Sequence, residues 1–263
     1  MSDDHSVLAT HTADPSTTSQ PLSTPPTSYT YYHAGPLFTI AELHTNALLA
    51  QAIQSASSGK FIPILPQDLE QRDLSAHAIR DEDLRALLSC DLALFTYDGT
   101  ELDAGTVVEY MVAKMADVPS VILRTDFRGA GDQGQTGTET GDAWNLMSSN
   151  WPRTVTLSVN SMVGYKSSLQ RAMGVANQGR ALGEAEQKRT IGESMIAEVA
   201  QKVVDGFERV VKEKPRLPKE LRRSVYQWLA LMPGFKNEDG GGDGLSVEAF
   251  AKLSDDKATK GLL

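Results

Sequence analysis

Between residues 28 and 126, short apolar runs alternate with stretches of helical period. Residues 29–34 are rich in strand formers and run straight into Gly35-Pro36, a turn signal. Residues 40–56 have a helical pattern, and residues 61–65 read as a second strand. A helix is predicted over 76–89, where Ile79, Leu84, Leu87 and Leu88 are available for one face. Residues 92–97 are a nearly continuous apolar run, as expected of a strand buried on both faces. A helix over 105–116 and a strand over 120–123 follow, and residues 154–159 supply a candidate fifth strand. Strands and helices alternating at this spacing predict a parallel sheet covered on both faces.

The rest of the chain breaks this rhythm. Residues 1–27, rich in Ser, Thr and Pro, lack the large apolar side chains a core requires and are expected to be a disordered tail. Residues 128–142 hold many glycines and almost no apolar residue, so a flexible insertion is expected within an α/β domain spanning 28–160. A helical extension is expected over 161–235. Its main element is a long helix near 186–214, with Ile191, Met195, Ile196, Val199, Val203, Val204, Phe207, Val210 and Val211 on one stripe. A shorter helix over 218–231 lies among prolines, and residues 236–263, with their Gly-rich start, are expected to form a flexible tail.

Composition narrows the range of partners. With 263 residues, 40% hydrophobic and 22% charged, the chain suits an ordinary globular protein. A net charge of −9 disfavours nucleic acid, which calls for a surplus of Lys and Arg. No membrane-spanning run and no secretory signal are visible, so a cytoplasmic location is expected. The single cysteine, Cys90, sits in an apolar context and suits a buried small side chain better than a reactive thiol. No cofactor and no metal site are expected.

Ligands of parallel α/β sheets bind beyond the carboxyl ends of the strands, so the polar residues that follow strands are the candidates for chemistry. These are the turn Gly35-Pro-Leu-Phe38, then Pro66-Gln67-Asp68, then the stretch from Tyr97 to Asp103 that leads into Gly105, Thr106 and Glu109. Each has a plainer alternative. Asp103 is a favoured helix N-cap, Glu109 taken alone suits a solvated helix position, and Tyr32 suits a core.

The order of these segments carries more information than any one of them. Tyr31-Tyr-His-Ala-Gly-Pro-Leu-Phe38, Leu65-Pro-Gln-Asp68, residues 79–95, Leu102-Asp-Ala-Gly-Thr-Val-Val-Glu-Tyr110 and Trp144-Asn-Leu-Met147 together resemble the nucleoside 2-deoxyribosyltransferase family. The resemblance implies a flavodoxin-like fold and transfer of a 2-deoxyribosyl group between nucleobases. It implies that Glu109 is the nucleophile, that Asp103 bonds and protonates the departing base, and that Tyr32 orients Glu109. Asp83 and Gln67 would contact the base, with Gly35 and Gly105 shaping the site. Asn145 and Met147 would come from a neighbouring subunit, which implies a homo-oligomer acting on a small deoxynucleoside and a free base. The chain departs from the family where Met111 replaces a glycine that often follows the glutamate, and residues 160–263 have no family counterpart.

Three other functions share parts of this pattern. A hydrolase of deoxynucleosides or their monophosphates is the nearest, although the turn after the first strand lacks a basic residue for a phosphate. A non-catalytic nucleoside-binding protein would use the same crevice without turnover. A flavodoxin-type electron carrier is disfavoured because no Ser/Thr-rich phosphate loop follows the first strand.

Overall fold

The computed structural model describes residues 28–69, 75–128, 146–176, 183–232 and 247–263. Five parallel strands form one sheet: β1 (Tyr29–Ala34), β2 (Phe61–Ile64), β3 (Leu92–Thr96), β4 (Ser120–Arg124) and β5 (Thr154–Ser158). Their order is β2-β1-β3-β4-β5, the flavodoxin-like arrangement expected from the alternating pattern. The order reverses between β1 and β3, so the connections leaving these two strands diverge and open a crevice at their carboxyl ends. Short β2 is an edge strand and carries Pro63, a residue tolerated at a sheet edge because it offers no N–H to a ladder.

Seven helices are described: α1 (Ile40–Ala56), α2 (Ala76–Ser89), α3 (Ala104–Met115), α4 (Ser161–Ala176), α5 (Glu184–Val210), α6 (Arg222–Leu231) and α7 (Val247–Thr259). The start of α1 is fixed by a capping box in which Thr39 and Glu42 each satisfy the other's backbone N–H.

Strand alternation divides the core into two layers. Tyr32, Phe95 and Ile122 pack with residues of α2, α3, α6 and α7. Tyr31, Leu94, Val121 and Val155 pack on the opposite face with residues of α1 and α5. The stripe foreseen on the long helix is the one that faces the sheet, with Val203, Phe207 and Val210 fully buried. Phe207 stands 5.0 Å, ring centre to ring centre, from both Tyr31 and Phe61. Gly206 lets this helix approach closely, since a Cβ there would lie 3.2 Å from Val121 Cγ2.

One expectation is corrected. The final residues, expected to form a flexible tail, contain α7, which packs on α6 and buries Phe250, Ala251, Leu262 and Leu263. Its anchors lie at the amino ends of the strands. Lys257 donates to the Cys90 carbonyl, Lys260 pairs with Asp91 at 2.7 Å, and buried Arg153 donates to the Leu262 carbonyl at 2.8 Å. Arg153 also pairs with Asp117 at 3.0 Å, and the other Asp117 oxygen accepts from the backbone N–H groups of Arg216 and Leu217. The helical extension is thereby joined to the sheet at the edge opposite the crevice. The expected insertion lies outside the described residues except for Arg128, and the N-terminal tail lies outside them too.

Candidate active site

β1 delivers Tyr32 to the α3 side of the sheet near its carboxyl edge. There the Tyr32 hydroxyl donates to Glu109 Oε1 at 2.6 Å, across 77 residues of sequence. This distance suits a charge-assisted bond, in which an ionised acceptor draws the hydroxyl close. Tyr32 is fully buried, and burial together with the Glu109 and Asp83 charges holds its own hydroxyl firmly protonated. Tyr32 is therefore a fixed donor and not a proton shuttle.

Glu109 is partly buried. Removal from water pushes its pKa up to about 7; the Tyr32 hydrogen bond opposes this rise, and the Asp83 and Asp103 charges add to it. Asp83, on α2, is raised to about 6 by burial first and by neighbouring Glu82 second. One of its oxygens is buried without a hydrogen-bond partner among the described residues. A buried acceptor of this kind costs free energy unless a ligand donor satisfies it. Asp83 therefore faces the protein interior close to Glu109 and is not a solvated helix residue.

Asp103 is the N-cap of α3. Its Oδ2 accepts from the Thr106 N–H at 2.7 Å and from the Thr106 hydroxyl at 2.8 Å, which fixes the first turn. The capping alternative is thus real, and the cap also holds the second oxygen in place. Gly105 serves this geometry, because a Cβ there would come within 3.1 Å of Asp103 Oδ2. Gly35 has a comparable reason: its Cβ would lie 3.0 Å from Thr96 Cβ, so only glycine lets β1 leave the sheet this close to β3.

The remaining expected residues stand further from this group. Gln67 lies on the 3-10 turn Pro66–Asp68 and donates to the Leu43 carbonyl at 3.1 Å, tying that turn to α1. Met147 is 75% exposed on the 3-10 turn Leu146–Ser148, next to α3. Asn145 lies outside the described residues. Met111, in place of the glycine, packs against the core layer of α3.

Two residues that sequence reasoning did not single out shape this edge. Asp98, after β3, accepts from the Thr125 N–H, the Thr125 hydroxyl and the Asp126 N–H, and so clamps the β3 exit to the β4 exit. Buried Arg124 donates to the Tyr97 carbonyl at 2.8 Å and reinforces the same junction. Their position at strand ends was the only signal available, and it does not separate a structural clamp from a catalytic group. His33, next to Tyr32, points to the opposite layer with Tyr31. Burial lowers its pKa to about 4, so it is a neutral core residue.

A tyrosine-held carboxylate of raised pKa, with two more carboxylates beside it, is equipped to attack an electrophilic carbon and to return a proton to a leaving group. Among the described residues, no group of three or more His, Cys, Asp or Glu side chains is placed to hold a metal ion.

No curated protein matches the chain. Among solved structures, a conserved protein from Enterococcus faecalis is 26% identical, covering 52% of this chain and 94% of that one, with a TM-score of 0.42. A structure described as a 2-desoxiribosyltransferase from Leishmania mexicana is 21% identical, covering 48% and 89%, with a TM-score of 0.37. Residues 31–147 match the family model described as nucleoside 2-deoxyribosyltransferase, a span that holds most of β1, all of β2 to β4 and every residue of the carboxylate cluster. The likeness to the nucleoside 2-deoxyribosyltransferase family thus rests on this α/β segment, which is somewhat under half of the chain.

Proposed function

We propose that the protein exchanges the nucleobase of 2′-deoxyribonucleosides through a covalent deoxyribosyl ester on Glu109. The observation that carries this reading is the 2.6 Å hydrogen bond from Tyr32 to Glu109, which aims one carboxylate oxygen and leaves the other free to attack. In the first step that oxygen bonds to C1′ as the C1′–N bond breaks. The electron pair leaves with the base, which takes a proton from Asp103 or Asp83. In the second step a ring nitrogen of the incoming base attacks C1′ from the opposite side. The ester C–O bond breaks, Glu109 is restored as a carboxylate, and the proton of the incoming base returns to the acid. Two inversions give net retention. The oxocarbenium character of both transition states is stabilised by the negative charge gathered in the cluster.

Asp83 also supports a base-binding role, because its buried, unpartnered oxygen lacks a donor that the edge of a nucleobase carries. The turn Gly35-Pro36-Leu37-Phe38 holds no cation, which favours a nucleoside with a free 5′-hydroxyl over a monophosphate. The reading includes a homo-oligomer with a shared site. Leu146, Met147 and Trp151 expose apolar surface near α3, where Val108 and Met115 are also exposed, and a second copy is the partner this surface suits. A role in cytoplasmic nucleoside salvage is part of the same proposal.

Intact-protein mass spectrometry after incubation with deoxyinosine and no acceptor tests the central step. The expected result is a deoxyribosyl adduct that maps to Glu109 and disappears when adenine is added. Release of base from a deoxynucleotide alone, with no exchange and no adduct, would establish the hydrolase instead.

A further inference from the structure

We propose that a cavity enclosed by α1, α4, α5 and the carboxyl ends of β3 and β4 is a second binding site, selective for a small apolar molecule that is uncharged or cationic. The cavity has a volume of about 190 Å³ and is partly open to solvent. It lies on the other side of the sheet from Glu109. Thr96, Leu123 and Thr125 line it from the strands, whereas their neighbour Phe95 packs 5.1 Å from the Tyr110 ring of α3. Period two along a strand sends adjacent side chains to opposite faces, so cavity and carboxylate cluster are separated by the sheet itself. None of Tyr32, Asp83, Asp103 and Glu109 lines the cavity.

Three observations define its occupant. Leu49, Leu123, Val159, Ile196 and Val199 make the walls mainly apolar. The charged residues that line it, Asp98 and Glu198, are both acidic, and no Lys, Arg or His is among the lining residues; Arg171 pairs with Glu198 at 3.3 Å from outside the lining, so Asp98 is the charge that chiefly disfavours an anion. Thr96 supplies a buried hydroxyl with no hydrogen-bond partner among the described residues, a group that a single polar atom on the ligand would satisfy. The volume lies below the roughly 300–1,000 Å³ of sites for drug-sized ligands, which limits the occupant to about one or two rings. The location gives such a ligand a route to the crevice. Asn46, a lining residue on α1, donates to the Pro36 carbonyl at 3.1 Å and so anchors the turn that leaves β1.

Indole, benzylamine and benzoate are suitable probes because they share a size and differ in charge. Calorimetric titration of the full chain should show indole and benzylamine binding with dissociation constants of about 1 mM or tighter, and benzoate not binding. Gly164 lines the cavity, and a Cβ built on it meets nothing nearer than Met195 Cε at 4.0 Å. Gly164→Leu should therefore fill the space without disrupting α4, and weaken both ligands at least tenfold. Val199→Phe, which fills the same space from α5, serves if the first variant does not fold. Failure of both indole and benzylamine to bind, equal binding of benzoate, or unchanged binding in the folded filled variant would each overturn the proposal. None of these measurements depends on the exchange reaction.

Discussion

At Glu109 the same physics governs activity and stability. As the proposed nucleophile it acts ionised, and its pKa is raised to about 7, so kcat/KM for base exchange should fall as pH drops through 7. In Tyr32→Phe the bond that favours the ionised form is gone. The acidic limb should then move to higher pH and the rate at neutral pH should drop about tenfold or more, measured as pH–rate profiles of the two proteins. For stability the sign reverses. A carboxyl whose folded pKa lies above its unfolded value binds more protons when folded, so its contribution is full below the unfolded pKa and is lost as pH rises through 7. Glu109→Gln should abolish exchange while raising stability at pH 8 by on the order of 1–2 kcal/mol, read from urea unfolding at pH 5 and pH 8. In the sequence, the pairing of Tyr32 with Glu109 is implied only by the family resemblance. The contact that couples them spans 77 residues and leaves no local periodicity to read.

Elements were legible where apolar side chains mark a face. All five strands and α1 follow directly from runs and periods in the sequence, and the capping box at Thr39 explains why α1 starts where it does. α7 was not legible, and its buried face shows why. Along it, Phe250, Ala251, Ser254 and Lys257 are all buried, so two polar residues occupy the positions that would have completed an apolar stripe. Ser254 satisfies its hydroxyl on the Ala251 carbonyl at 2.6 Å, and Lys257 reaches the Cys90 carbonyl. Helix α5 shows the opposite case, with its stripe evident and its role set by Phe207. Phe207→Ala should destabilise the protein by about 3–5 kcal/mol, because it empties the contact with Tyr31 and Phe61 and leaves a cavity that helix and sheet cannot both close. Equilibrium unfolding in urea measures this, and the pH–rate profile of the folded fraction should be unchanged.

Across the whole molecule, the proposed chemistry and the anchoring of the helical extension lie at opposite ends of the strands of one sheet. Arg153 joins β5 to Asp117 and to the segment after α7, far along the strands from Glu109. Arg153→Met removes one partner of a buried pair and leaves the Asp117 carboxylate only its backbone donors, so it should cost about 3 kcal/mol of stability while KM and kcat for the proposed exchange hold in the folded protein. Assembly belongs to this scale as well. If copies share a site, mixing Glu109→Ala with Met147→Asp should restore part of the exchange activity that each lacks alone. Sedimentation of the mixture would report the mixed assembly that this recovery requires.

Pro63 bears on what such assembly can be. The sheet ends at β2 in four residues with a proline among them, a strand too short and too poor in N–H donors to recruit a further strand. Copies are thus steered away from joining edge to edge into a growing ribbon. If copies associate through helix and turn surfaces by a two-fold contact, the assembly closes on itself, and a concentrated solution of this protein should yield discrete particles and not fibrils.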